Sequence, residues 1–373
     1  MIRKFAIATV LGASLACPPL KAEGLSIYGA INLTLEHVGA TPDIKDQFKI
    51  SDSYSWVALR SDHKINDDLS VYAVAQTMFD SSGSTEPSSI NNGFCEDQCH
   101  IGLKSRRYGA LRAGYFQVHN PTGILKWDGA AVYMGMSTLM LPLVYGNGQT
   151  FSSSAGGRVR NVVEYSTPTW KGLNTSYFFA RPNEELTTSG NAGRLYGGTL
   201  TYTHGNWFTL YSHLRTEDSS SISAVDDFRI RGNRFVLSYS PKQGLNAAIV
   251  VDRQTTDDPN YANGMTRTTF GIPVWYRNGK HVFAGTYAKA SGVSGIDDSG
   301  AQFSMVGYSY FLTRSTNLYI SYSKIYNEEN AKYDFQTHAQ VGGLQGPPSF
   351  ISNLPTGADP RAFQIGIRHS FLL

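Results

Sequence analysis

Cysteine is scarce in this chain: three in 373 residues, too few for a disulfide-stapled scaffold. Past the N-terminus there is no uninterrupted apolar run of helix-spanning length, which excludes a bundle of membrane-crossing helices. No block of basic residues and no RNA-binding signature occurs, and the formal net charge is only +3, so nucleic acid is not an expected partner. No G-x-S-x-G elbow, HExxH pair or other nucleophile–base spacing appears. His37, His204, His213 and His369 have no partner at catalytic spacing, so the expectation is that the chain is not an enzyme.

What is present begins with a leader. Arg3 and Lys4 precede an apolar run over residues 5–16, then small residues and Lys21-Ala22. A basic start, a short apolar middle and a small-residue exit describe a secretory signal peptide. The expected division is a signal over 1–22 and one domain over 23–373, with cleavage after Ala16 as the rival. A lipoprotein reading of Cys17 is disfavoured because Ser14 stands where such signals carry Leu. Export removes Arg3, Lys4 and Lys21, taking 32 basic residues to 29 against 29 acidic ones. Any functional charge must therefore be segregated within a neutral chain. Export also implies an oxidising compartment. Cys95 and Cys99, in NGFCEDQCH, are candidates for a local disulfide, since C-x3-C lacks the second ligand pair of structural zinc.

The mean hydropathy of -0.25 looks soluble, yet 37 Gly, 22 Tyr and 19 Phe do not describe an ordinary secreted globule. Residues 25–38, LSIYGAINLTLEHV, explain the conflict. Leu25, Ile27, Ile31, Leu33 and Leu35 alternate with Ser26, Asn32, Thr34 and Glu36. Successive strand side chains face opposite ways, so one face meets hydrocarbon and the other water, and hydropathy averages hide it. Similar segments lie near 53–61, 69–79, 98–105, 111–118, 159–166, 173–180, 194–203 and 207–216. More follow near 228–240, 245–253, 266–277, 281–289, 302–311, 318–326 and 362–371. That makes about sixteen, an even number as closed bacterial barrels require.

Their connections sort by parity. Short turns such as RRYGA, THGN, PKQG and RNGKH alternate with long Gly/Ser/Asp-rich joins such as 80–97, 217–227 and 327–361. A membrane barrel has short periplasmic turns and long external loops, whereas a soluble sandwich has no reason for such sorting. In lipid no sheet edge can stay open, so the last strand must meet the first.

Residues 120–157 fit neither strand nor helix: Gly and Pro interrupt them too often, and alternation never lasts. A join this long is usually functional. Its Ile124, Leu125, Trp127, Met134, Met136, Met140 and Leu143 need a wall, so the stretch is expected to fold back inside the barrel and narrow it. Trp127, Met134, Met136, Met140 and Tyr145 either anchor it to that wall or form a slot for sugars or aromatic acids.

The first strand LSIYGAINLTL, the runs YGALRAGYFQVHNP, RVRNVVEYSTP and YFLTRSTNLYISY, and the closing FQIGIRHSF resemble, in order, the general porins of the Gram-negative outer membrane, in the group typical of beta-proteobacteria. The resemblance implies an all-β, sixteen-stranded antiparallel transmembrane barrel, assembled as a homotrimer, whose third external loop folds inward as the constriction. Departures are Leu372-Leu373 after Phe371, Gly114-Tyr115 where the family has Gly-Arg, and Asp128 as the only acid in the loop.

A pore selects by diameter and lining charge. With Val57 and Leu59 facing lipid, Trp56, Ala58 and Arg60 face inward, and the same phase turns Arg112, Arg158, Arg160 and Glu164 to the lumen. Arg229, Arg231 and Arg234 are less readable, because Gly232-Asn233 breaks the alternation. A basic strip opposite Asp128 would favour anions. Pairing of these arginines with Glu164, Asp252 or loop acids is the alternative. Lys126 and Asp128 add opposite signs to the constriction or are ordinary loop charges. The expected function is passive diffusion of small hydrophilic solutes and ions across the outer membrane, with an anion lean, no cofactor or metal, and outer-membrane lipids as surroundings. A solute-specific channel and an adhesin or receptor built on the loop 327–361 are the rivals.

Overall fold

The structure, a computed structural model, describes residues 24–41, 44–79, 81, 95, 97–118, 134–135, 138–140, 143–144, 158–181, 193–217, 229–257, 265–335 and 354–373. In chain order the strands are β1 (Leu25–Thr41), β2 (Ile44–Asp52), β3 (Ser55–Lys64), β4 (Leu69–Phe79), β5 (Gln98–Ser105) and β6 (Gly109–Gln117). Then come β7 (Arg158–Ser166), β8 (Leu173–Ala180), β9 (Arg194–His204), β10 (Trp207–Glu217) and β11 (Ile230–Tyr239). The last are β12 (Gly244–Thr256), β13 (Met265–Asn278), β14 (His281–Ala290), β15 (Ala301–Phe311), β16 (Thr316–Asn327) and β17 (Asp359–Leu372).

β2 and β3 are one crossing. Both pair with β1, β2 along Leu33–Ala40 and β3 along Leu25–Ala30. Between them the chain kinks at Tyr54, whose φ of +79° is held by the Asp52 carboxylate accepting from the Tyr54 and Ser55 amides, each at 2.9 Å. Seventeen segments thus make sixteen crossings, each antiparallel to its neighbours, and β1 closes the ring on β17 from Tyr28↔Leu372 to Thr41↔Asp359. β2 has no counterpart among the sequence-read segments, because Lys45, Asp46 and Lys49 interrupt its alternation.

Leu25, Ile31 and Leu35 on β1, and Ile365 and Ile367 on β17, are exposed on the outer wall; Asn32, Thr34, Glu36 and Gln364 are buried on the inner one. This distribution suits a wall whose outside meets hydrocarbon. Inside the closing seam, the Tyr319 hydroxyl lies 2.7 Å from Thr34 Oγ1 and donates to Asn32 Oδ1 at 2.8 Å, and Gln364 donates to Glu36. Polar groups facing inward are therefore paired across three strands.

Candidate pore constriction

The join leaving β6 at Val118 returns at Arg158, and its described parts are Met134–Gly135, Thr138–Met140 and Leu143–Val144. Met134, Leu139, Met140, Leu143 and Val144 are fully buried in one cluster with Val250, Ala288, Phe303, Met305 and Ile325. Those partners lie on the inner face of β12 to β16. The described parts of a join that starts between β6 and β7 thus rest on the inner face of the opposite wall. Full burial of a Met or Leu side chain is worth about 1.5–3 kcal/mol, so this patch alone supplies a strong anchor.

The wall is shaped to receive it. A Cβ on Gly271 would collide with the Met140 sulfur, and one on Gly307 with the Met134 sulfur. Hydrogen bonds fix the loop backbone at the same places. Thr269 Oγ1 donates to the Leu143 carbonyl at 2.6 Å, and Ser321 Oγ to the Met134 carbonyl at 3.1 Å. The Val144 carbonyl accepts from Arg267 at 2.6 Å and from Gln254 at 2.9 Å. Gln254 also donates to Asp252 at 2.8 Å, and Asp252 binds both Nε and Nη2 of Arg234 at 2.8 Å. All four side chains are buried, where a charge persists only with a partner. Met134 and Met140 are thus anchoring residues; Trp127, Met136, Tyr145, Lys126 and Asp128 lie outside the described residues.

The other charges group on the β3–β7 side. Arg60 binds Asp62 through Nε at 2.6 Å and Nη2 at 2.8 Å, with its guanidinium 5.0 Å from the Tyr72 ring centre. Arg112 binds Glu164 at 2.8 Å and lies 3.9 Å over the Phe116 ring. Arg158 pairs with the buried Asp97, which also accepts from Gln76, so Arg158 is enclosed rather than standing in the bore. Arg160 is exposed. The simple alternation placing Arg158, Arg160 and Glu164 on one face does not hold, because Asn161 takes φ +55° and both Val159 and Val162 are buried. Arg234 faces inward, while Arg231 is exposed on the outer side, bound to Asp257 at 2.9 Å. Cys95 and Cys99 are bonded, with Cα atoms 5.1 Å apart, at the entry to β5.

Sequence reasoning missed the Arg234–Asp252–Gln254–Arg267 chain as the loop's polar anchor. The signal existed: Asp252 and Gln254 are two apart on an alternating strand, which places both on one face. The described ends of the last long loop also turn inward. Ala331, Tyr333, Phe335, Leu354 and Ala358 belong to the same buried cluster as Met140. The Asn327 amide clasps the two ends, donating to Tyr333 O at 2.8 Å and Ala358 O at 2.6 Å. The QGPPSF segment lies outside the described residues.

Residues 6–330 match the sequence model of the Gram-negative porin family. The chain belongs to that family. It is an outer-membrane diffusion channel. No curated protein matches it. Among solved structures it is similar to the anion-selective porin from Comamonas acidovorans, at 18% identity and a TM-score of 0.74, covering 93% of this chain and 99% of that one. It is also similar to OmpT of Vibrio cholerae, at 12% identity and a TM-score of 0.63, covering 93% and 97%. Salmonella typhi OmpF follows at 15% identity and a TM-score of 0.59, with the same coverages. At these identities the likeness carries the fold of this porin, not its selectivity.

Proposed function

We propose that this porin passes small hydrophilic solutes and ions passively, without catalytic turnover or cofactor, with a mild preference for anions. One observation carries the preference: inner-wall charges are unequally paired. Arg60, Arg112, Arg158 and Arg234 each meet a carboxylate. Arg277, which lies 5.0 Å over the Phe311 ring, has no ion pair among the described residues. Uncompensated cations along a bore favour anions.

Reversal potentials in asymmetric potassium chloride test this. The parent should reverse on the anion side, and Arg277→Glu should move the potential toward cations, whereas Arg160→Glu, on the outer side beyond the bulge, should leave it in place. An unmoved potential in Arg277→Glu would sink the assignment. Liposomes carrying the protein should swell in small sugars without hydrolysing them, which separates passage from catalysis and adhesion.

The homotrimer is supported by the outer wall of β3–β6. There Leu59, Ser61, Ala73, Ala75, Ile101 and Ala113 form a shallow dent, in contrast to the exposed Tyr211, Phe235, Phe270 and Phe283 further round. Small residues let another subunit approach, whereas aromatics suit the lipid interface. Native mass spectrometry of detergent-extracted protein reads the subunit number. Residues 1–22 serve as a cleaved signal, and N-terminal sequencing of the mature protein should begin at Glu23.

A further inference from the structure

The inner face of β13 carries, from the external side to the periplasmic one, Arg267, Thr269, Gly271, Pro273, Trp275 and Arg277. The first three hold the inward loop: Arg267 and Thr269 donate to the Val144 and Leu143 carbonyls, and Gly271 lies under the Met140 sulfur. Beyond them the face changes character. Trp275 and Arg277 are partly exposed, while Tyr276 between them points to the outer side. Two such positions on one strand face stand about 7 Å apart at the usual rise. An indole and a guanidinium thus share one strip of wall between the loop's anchor and the periplasmic mouth.

No carboxylate of this wall neutralises Arg277. The sequence holds no Asp or Glu between Asp258 and Asp297, nor between Asp298 and Glu328, so β13 to β16 carry none. The Nε of Arg277 is buried without a hydrogen-bond partner among the described residues. Phe311, buried at the end of β15, supports the guanidinium from one side, its ring centre 5.0 Å away. The other side is open: Gly244 is the register partner of Arg277 on β12, and a Cβ built there would meet nothing within 4 Å. Beside Trp275, β14 presents only Ala284, and both pack against the loop's buried cluster.

We propose that this strip is a subsite for aromatic carboxylates passing through the pore. The carboxylate meets the Arg277 guanidinium, and the ring lies on the Trp275 indole. A guanidinium offers planar, paired donors that match a carboxylate, and an offset ring contact adds to the burial of the solute's apolar part. Acetate lacks the ring and benzyl alcohol lacks the charge, so neither engages both halves. The inference rests on the reading of Arg277 as an unpaired cation of the bore and adds a class of solute to it.

The test is a planar-bilayer recording of the full protein in potassium chloride, titrated with benzoate, acetate and benzyl alcohol. Bound benzoate obstructs the path, so it should halve the current at a concentration roughly fivefold or more below that of either other probe. Arg277→Gln should raise the half-blocking concentration of benzoate roughly tenfold, and Trp275→Leu roughly fivefold. The probe series on the parent needs no substitution, so it decides the matter if either variant fails to fold. Arg314→Gln, in the turn before β16, should leave the benzoate titration at the parent value. Equal block by benzoate and acetate, or by benzoate and benzyl alcohol, would overturn the subsite, as would an effect of Arg314→Gln as large as that of Arg277→Gln. Failure of the anion preference is a separate result: the parent would then reverse on the cation side in potassium chloride alone.

Discussion

The guanidinium of Arg267, on the barrel wall, donates a 2.6 Å hydrogen bond to the backbone carbonyl of Val144, a residue of the inward loop 123 positions earlier. This bond ties the constriction to the wall opposite its origin. Arg267→Met keeps the bulk and removes the donor, leaving Gln254 as the remaining donor to that carbonyl. A hydrogen bond from a charged group is worth about 1.5–3 kcal/mol, so the loop end should detach part of the time. Planar-bilayer recordings should then show noisier current and a higher mean conductance. A trace indistinguishable from the parent would mean that the apolar anchor alone positions the loop.

The apolar anchor has its own test. Because a Cβ on Gly271 meets the Met140 sulfur, Gly271→Val overpacks the contact and should cost about 1–3 kcal/mol. Met140→Ala empties the same space and should cost about 2–5 kcal/mol. Combined, the two should cost less than their sum, because the new side chain fills the vacated volume. The thermal midpoint of the heat-modifiable barrel band measures each variant. Strict additivity would show that Met140 and Gly271 do not touch.

Most of the barrel was legible because its rule is local. Leu25, Ile31 and Leu35 declare an outer face residue by residue, and parity of loop length orders the strands. The inner anchor was harder to read. Phe303 and Met305 face the lumen although they are apolar, since the loop and not water covers them. β2 was hidden for the converse reason: Lys45, Asp46 and Lys49 break the alternation by which an outer face is recognised. The bulge at Asn161 was invisible too. Phase carried along the sequence holds only until an extra residue resets it, and Arg158 and Arg160 lie on the far side of that reset.

The periplasmic turns carry a pH prediction. Asp68 stands between β3 and β4, and its carboxylate accepts from the Ser105 hydroxyl at 2.7 Å and the Arg107 amide at 3.1 Å, clasping two neighbouring turns. The Ser105 hydrogen bond, then the Arg107 and Arg106 amides, hold its pKa below the usual carboxylate value. A depressed pKa contributes stability that is present above the unfolded value, about 3.9, and is lost as pH falls through the folded one. Asp68→Asn should therefore melt lower than the parent at neutral pH, with the gap closing in acid below that range. A gap that stays constant with pH would remove the carboxylate's charge from the explanation.

Arg158 and Arg277 separate structure from selectivity. Arg158 is enclosed against Asp97, so Arg158→Gln leaves a buried carboxylate without its counter-charge. Breaking a buried pair from one side costs about 3–5 kcal/mol, whereas replacing both partners is far milder. Arg158→Gln should thus lower the yield of folded, heat-modifiable barrel, and adding Asp97→Asn should restore most of it. The restored double variant should keep the parent's reversal potential, because the pair contributes no net charge to the bore. Arg277→Glu should behave the opposite way, keeping the barrel folded while moving the potential. If Arg158→Gln folded normally and moved the potential by itself, Arg158 would have to be counted among the residues that ions meet.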